Sequence, residues 1–496
     1  MSRIREHLRS FVWLFRQVAS PFTLRRNQKS ATIIARQDRI PVWALSRLFI
    51  GVIGLGFLFT LYDIGDINVS FVQTCVEIVS GCQAQTASHY LGLPVLLNLL
   101  GYVIGALFLS PLADRYGRRD LMVMTMVITG LGSLYTVFVG DYTNFIIARV
   151  ITGIGVGADL ALVNTYINEV APNQGRGKYT TLIFMLGQVG AVLGIWLGLL
   201  LATPAEPFPF GLPFALASAS FSEGWRVVYG VGASLAILGL MLRFNLPESP
   251  RWLISQGRIT EAEFVVSNME KLALTRIAEL PPVSQELPVR IVARNTGYSE
   301  IFGNSLYLKR TVLLLVIWFT AYIAVYSLLA GFTVLLVTMG YPLPEAGLIT
   351  AVGGLGGPCA VILAYFFSDK MERKFWLPIG GLLALGGGIA AALSNNLALT
   401  FLANFVASMG VYLWIPFTYT WSTENYPTRA RASGFALVDG LGHVGGGLGF
   451  NFIAPIAFKL GPLPTFILIG CFLLAAAGLA QFGPATRNKR LDEVSP

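Results

Sequence analysis

Apolar residues in this chain gather into runs of about 20, the length that crosses a hydrocarbon core as a helix. Twelve runs can be drawn, near residues 44–72, 91–111, 120–139, 142–168, 178–203, 225–245, 310–339, 344–368, 375–394, 398–421, 431–458 and 463–483. The longest polar stretch, 246–309, divides them six from six. Within it Ile259 to Arg276 has helical propensity, and Pro281-Pro282 breaks it. The pattern predicts an all-α integral membrane protein of twelve transmembrane helices in two six-helix halves, 44–245 and 310–483. A basic segment over 1–43, a partly helical linker over 246–309 and a tail over 484–496 complete the division.

Composition sharpens this picture. Charged residues make up 12% of the chain and hydrophobic ones 54%, with a mean hydropathy of +0.65. A soluble chain needs roughly a quarter of its residues charged to solvate its surface. The net charge of +9 raises the question of nucleic acid, and its distribution answers it. Of the 35 Lys and Arg, only Arg149, Arg226 and Lys459 fall away from one side of the predicted membrane. Basic loops mark the cytoplasmic side, so both termini lie inside and the span count is even. The charge reports topology rather than a nucleic-acid partner. A multi-pass protein of the plasma or inner membrane is expected, working as a monomer among lipids.

In residues 1–43, Arg3, Arg5, Arg9, Arg16, Arg25 and Arg26 accompany Ile4, Leu8, Phe11, Phe15 and Val18 at helical spacing. That reads as an interfacial amphipathic helix on anionic lipid. Its apolar stretch is too short for a signal peptide. Four cysteines exclude a disulfide scaffold. Cys75 and Cys82 share the first external loop, either as an oxidised pair or as two free thiols. Cys359 and Cys471 sit within predicted helices as packing residues.

The halves echo one another. Ser110-Pro-Leu-Ala-Asp114-Arg115-Tyr-Gly-Arg118-Arg119 follows the second helix, and Ser368-Asp369-Lys370-Met-Glu372-Arg373-Lys374 follows the eighth. Glu169-Val-Ala-Pro172 with Arg176-Gly177 recurs as Glu424-Asn-Tyr-Pro427 with Arg431 and Gly434. Such duplication is the architecture of transporters whose pseudo-symmetric halves rock around a central site.

These segments resemble the major facilitator superfamily over nearly the whole chain, from Arg47 to Glu493. Gly105 through Arg119 resembles its first cytoplasmic signature, G-x-x-x-D-R-x-G-R-R. Several segments are similar to the sugar porters and their metabolite-symporter relatives: Ala148-Arg149 through Gly153, Gly155 and Gly157, Glu169 to Gly177, and Pro247-Glu248-Ser-Pro-Arg-Trp-Leu253. The ending from Gly483 to Glu493 looks like a degraded form of theirs. Two departures stand out. Sugar porters carry amides in helix seven that hold sugar hydroxyls, whereas here it reads Trp318-Phe-Thr-Ala-Tyr322-Ile-Ala-Val-Tyr326; and Tyr419 stands where a Trp is usual. The segment from Tyr419 to Gly434 looks closer to organic-ion and aromatic-acid carriers.

Ionisable groups inside a bilayer cost several kcal/mol, so each is a functional candidate. Asp63 lies roughly 28 Å up the first helix, and Arg149 roughly 10 Å down the fourth from the outside, by the helical rise. Both therefore reach the outer part of a core about 30 Å thick. Proton-coupled sugar symporters, which this resembles, pair an Asp and an Arg at these positions. The pair reads as a proton-coupling site or as a fixed tie between helices. Asp66, at the mouth of the first helix, reads as a solvated group or a further polar site. Asp159 and Asn164 in the fourth helix either line a cavity or bond between helices. Asp439 and His443 share a face of helix eleven, either as a second proton site or as a satisfied packing pair.

Gln188 matches a substrate-contacting position of the sugar porters, and Tyr322, Tyr326, Trp414 and Tyr419 can wall a cavity with amphipathic rings. Asp114, Arg115, Arg118, Glu169, Arg176, Glu248, Glu424 and Arg431, all cytoplasmic, read as a charge network closing an inner gate. No nucleotide loop, metal-spaced cluster or catalytic triad spacing is visible. No enzyme and no cofactor beyond a coupling proton are expected. The reading is a proton-coupled importer of a small organic acid, aromatic metabolite or sugar. Its rivals are a facilitative sugar uniporter, a proton-antiport exporter and a transporter-like solute sensor.

Overall fold

The computed structural model describes residues 21–172, 176–283, 297–367, 370–427, 430–487, 489 and 494–495. The amphipathic segment over 1–20, Ser368-Asp369 and residues 491–493 lie outside the described residues. Twelve helices are long and apolar enough to cross a membrane. They run Arg47–Ile78, Ser88–Leu112, Arg118–Phe138, Tyr142–Val170, Lys178–Ala202 and Gly224–Arg243, then Ser305–Leu329, Leu343–Phe367, Arg373–Leu393, Leu397–Glu424, Ser433–Leu460 and Pro462–Ala480. They are spans 1 to 12 below. No strand occurs among the described residues, only two isolated bridges, Pro204 to Ala217 and Ser218 to Phe221. Phe108, Leu131, Met241 and Phe452 are each more than half exposed on the spans. A water-facing surface would not tolerate such side chains in number, whereas lipid does.

The chain divides into two compact units. The smaller comprises Met1–Ser46, Glu169–Gln174 and Pro247–Asn295. In it the helix Pro21–Asp38 packs with Pro250–Ser255 and Ile259–Leu274 around Ile33, Trp252, Leu253, Ala262 and Val266. Pro250 opens its helix and the Ser249 hydroxyl accepts the Trp252 amide at 3.3 Å, a serine cap before a first-turn proline. Arg36 and Arg39 reach Glu270 at 2.5 and 2.6 Å, and Arg251 reaches Asp38 at 2.5 Å. Partial burial of the Glu270 carboxyl works against its charge, yet the hydrogen bonds from Arg36 and Arg39 hold it below the usual range.

The larger unit holds the spans. Span 1 runs past its predicted end at 72 because the polar residues that follow are paired. Gln73 accepts the Trp225 amide at 3.0 Å, and Glu77 accepts the Trp225 indole at 2.5 Å and Arg226 at 2.9 Å. Cys75 and Cys82 form a disulfide that ties the end of span 1 to the turn after it. Cys359 and Cys471 are free.

Three spans of the second half are broken. Span 7 stops at Leu329 and resumes as Phe332–Thr338; span 8 is interrupted at Leu355 and span 10 at Trp414. In span 10 the cause is Pro416, which lacks an amide hydrogen and crowds the carbonyl of Tyr412. Span 7 is held at its break by Asn68 of span 1. The Asn68 amide donates to the carbonyls of Leu328 (3.0 Å) and Leu329 (2.7 Å), and its oxygen accepts the Thr333 amide at 2.9 Å. Backbone freed at membrane depth is tolerated only when something re-satisfies it, and here one side chain satisfies three groups.

Candidate functional site

Two polar features lie inside the span unit. The first is a small cavity between the two halves of the span unit. The first half contributes Phe57, Leu61 and Ile64 of span 1, Leu160 of span 4, and Phe184 and Gln188 of span 5. Facing them are Tyr322 and Tyr326 of span 7, Tyr412 and Tyr419 of span 10, and His443 of span 11. Among the described residues no Lys, Arg, Asp or Glu lines it. Gln188 is the one amide, and it has its place because span 8 carries glycine at 357. A Cβ there would stand 2.2 Å from Gln188 Oε1.

Behind the tyrosines lies Asp439. Its carboxylate accepts the hydroxyls of Tyr102 and Tyr322, the latter at 2.6 Å. The His443 ring stacks on Tyr102 with centroids 3.8 Å apart and lies 4.0 Å from Tyr322. Its Nδ1 is 2.7 Å from the Asp439 carbonyl, one turn before it. Tyr102 belongs to span 2 and the rest to spans 7 and 11, so this cluster joins the two halves. Trp318, Tyr322 and Tyr419 pack ring on ring beside it.

The second feature is a buried charge cluster. Arg149 Nη1 is 3.1 Å from Asp63 Oδ1, and Nη2 donates to the Asp63 carbonyl at 2.7 Å. Ser133 of span 3 donates to the same carboxylate at 3.2 Å. Asp66, one turn on, has an oxygen 3.9 Å from Arg149 Nη1. The guanidinium lies 5.7 Å from the Tyr229 ring centroid. All five residues are buried, so of the two readings of Asp66 the solvated one fails: the continuation of span 1 covers it.

The fold and both features can now be set beside known proteins. The family described as "Sugar (and other) transporter" matches residues 48–496. The chain belongs to this family, a branch of the major facilitator superfamily. The transporter is 27% identical to the D-xylose transporter of Levilactobacillus brevis, covering 90% of this chain and 94% of that one. It is 26% identical to the niacin transporter NiaP of Acinetobacter baylyi, covering 93% and 99%. Among solved structures, the proton:xylose symporter XylE bound to 6-bromo-6-deoxy-D-glucose superposes with a TM-score of 0.71 at 23% identity, covering 94% and 99%. Relatives and fold are those of transporters, not of enzymes.

Within the transporter, the residues singled out by sequence separate. Gln188, Tyr322, Tyr326, Tyr419 and His443 meet at the cavity, while Trp414 and Asn164 do not line it. Trp414 packs behind, 5.4 Å from Trp318, because the break after it turns the ring away from the solute space. Asn164 donates back to Leu160 of its own helix at 2.8 Å. Asp159 forms a fully buried two-point pair with Arg243 of span 6, with Nη2 to Oδ2 at 2.9 Å, and accepts Thr125 at 2.8 Å. It bonds between helices rather than lining the cavity.

Of the residues read from sequence as an inner gate, Glu424 accepts Thr486 of the tail at 2.6 Å and lies 3.7 Å from Arg373. Arg431 donates to the Thr423 carbonyl at 3.1 Å, and Arg118 to that of Ala113 at 2.7 Å. Arg115 is exposed over Tyr116. Glu248 accepts the Ser249 amide at 2.8 Å, and the Glu169 carbonyl accepts Gln37 at 2.6 Å, both inside the smaller unit. The side chains of Asp114 and Arg176 lie outside the described residues. Sequence reasoning passed over Asn68, Tyr102, Tyr229 and Arg243. Each carried a signal, a polar group inside an apolar run, sharpest for Arg243 as a charge.

Proposed function

We propose that this transporter is a proton-coupled symporter importing a small, flat, partly apolar organic solute, such as an aromatic or heteroaromatic acid, by alternating access. The observation that carries the solute class is the cavity wall: six aromatic side chains with a single amide, Gln188. A sugar presents several hydroxyls, and each left unpaired in a closed site costs about 1–3 kcal/mol. Aromatic faces instead match a planar ring. The niacin carrier among the relatives supports this class.

Proton coupling is supported by the buried Asp63–Arg149 pair. Two charges out of water are costly unless they serve a function that needs them there. Breaking and re-forming the pair as Asp63 gains and loses a proton links the pH gradient to the conformational cycle. The basic loops support a plasma or inner membrane location with both termini cytoplasmic. The cytoplasmic charges around Glu424 and Arg431 serve as an inner gate in this reading.

Uptake of radiolabelled nicotinate and D-xylose into proteoliposomes, with and without an inward proton gradient, tests both parts. Gradient-driven accumulation of nicotinate is expected, and Asp63→Asn reduces it to equilibration while leaving counterflow. Accumulation of D-xylose instead, lost in Gln188→Ala, restores a sugar as the solute. Uptake indifferent to pH makes the protein a facilitator.

A further inference from the structure

The charge cluster contains two carboxylates and one guanidinium, all buried. Asp63 is partnered through one oxygen: its Oδ1 holds Arg149 at 3.1 Å and accepts Ser133 at 3.2 Å, while its Oδ2 has no hydrogen bond. Asp66 has less. Neither of its carboxylate oxygens has a hydrogen-bond partner, and its one cationic neighbour, Arg149 at 3.9 Å, directs both terminal nitrogens to Asp63. The groups facing it from each packed element are Tyr62 and Asp63 of span 1, Arg149 of span 4 and Tyr229 of span 6. Among them there is no second cation. The Tyr62 hydroxyl donates to the Val228 carbonyl at 2.6 Å and is committed, and the Tyr229 hydroxyl has no partner. An ionised Asp66 would be an unpaired charge in a water-excluded site, which proteins avoid by neutralising the group. We infer that Asp66 is the residue that holds the transported proton, in a cluster whose two carboxylates share one arginine.

This rests on the proton-coupled reading above and moves the proton within the same cluster from Asp63 to Asp66. Asp63, Arg149 and protonated Asp66 sum to zero charge. When the cluster opens to water, the proton leaves an Asp66 carboxyl oxygen for a water molecule, and Arg149 faces two carboxylates one turn apart at 3.1 and 3.9 Å. Closing the site again requires a proton, because burying the net negative charge is costly. The coupling thus lies in the charge balance, and removing either carboxylate removes the need for the proton.

Infrared difference spectra of the purified transporter on going from neutral to alkaline pH require no solute. A buried carboxylic-acid C=O band is expected, shifted in Asp66→Glu and unmoved in Asp63→Glu. A band that moves with Asp63→Glu alone, or no such band, overturns the assignment. So does its loss on adding sodium at constant pH, which makes the site a sodium site. In proteoliposomes with nicotinate, Asp66→Asn is expected to lower the accumulation ratio to about one while counterflow persists. If Asp66→Asn accumulates like the unsubstituted protein and Asp63→Asn does not, this inference fails and the coupling role of Asp63 stands. If nicotinate uptake ignores the gradient while the band still shifts in Asp66→Glu, the proton site stands and the coupling reading falls.

Discussion

Gln188 shows how a single side chain in this cavity depends on its neighbour. Its amide is the one group in the cavity able to both donate and accept through a planar fork, and it occupies space that only glycine at 357 leaves open. The Cβ of Gly357→Ala would lie 2.2 Å from the amide oxygen, the movable end of a flexible chain. The variant is expected to fold and to displace Gln188, costing about 1.5 kcal/mol of solute binding, or roughly tenfold in affinity. Titration calorimetry with nicotinate on Gly357→Ala and Gln188→Ala checks this, and the two losses should not add, because they act through one contact. Gln188 was recognisable by its match to a sugar-porter position, and Tyr322, Tyr326, Tyr419 and His443 as polar groups in apolar runs. That Trp414 turns away while Tyr412 turns in was not legible, since it depends on the break that Pro416 imposes.

At the scale of elements, the breaks matter more than the helices. A hydropathy pattern reads span 7 as one run because Leu329, Ala330 and Phe332 are apolar, and it cannot register that Asn68, some 260 residues away, replaces the missing backbone bonds. Asn68→Ala would leave two carbonyls and one amide unsatisfied at membrane depth. At about 1–3 kcal/mol for each orphaned group, the variant is expected to lower the melting temperature by several degrees, whereas Asn68→Asp should spare part of this by keeping the acceptor for Thr333. Thermal denaturation in detergent distinguishes the two.

A second element-scale expectation concerns the helix Pro21–Asp38. Its ties to Glu270 hold that carboxyl below its ordinary range. Such a group contributes stability that is full above the unfolded glutamate range and is lost as pH falls through the lowered value. The protection of 28–38 from hydrogen exchange, relative to the intrinsic rate at each pH, should therefore fall on acidification, and Glu270→Gln should lower it at neutral pH and abolish the acid-dependent step.

For the whole molecule, one apolar cluster joins the two halves of the span unit. Val69 of span 1, Ile195 and Leu199 of span 5, and Leu348 and Ala351 of span 8 form one cluster, with Leu212 and Ala215 of the loop between spans 5 and 6 set into it. Both halves meet there, so the cluster must part for them to move apart. Burying a leucine contributes about 1.5–3 kcal/mol. Leu212→Ser removes most of that from the closed state alone, which shifts the population about tenfold or more towards opening. Faster labelling of a cysteine introduced at Val69 in the Leu212→Ser background would register the shift. An unchanged rate would mean the loop merely covers a contact that is stable without it.

What the sequence determined by itself was whatever depends on one segment and its solvent. Twelve spans follow from run length, because a backbone in lipid must satisfy its own hydrogen bonds within each segment. The Asp63–Arg149 partnership was readable because two opposite charges at one membrane depth have few other ways to be accommodated. What only the tertiary structure decided were matters of mutual satisfaction between distant segments: Asp159 with Arg243, Asn68 with the break of span 7, Asp439 with the hydroxyls of Tyr102 and Tyr322, and Asp66 with Arg149 at 3.9 Å but no hydrogen bond. Whether a buried polar atom has a partner depends on how helices hundreds of residues apart are rotated against each other. Pattern along one strand of sequence carries the face of a helix, but not what that face meets.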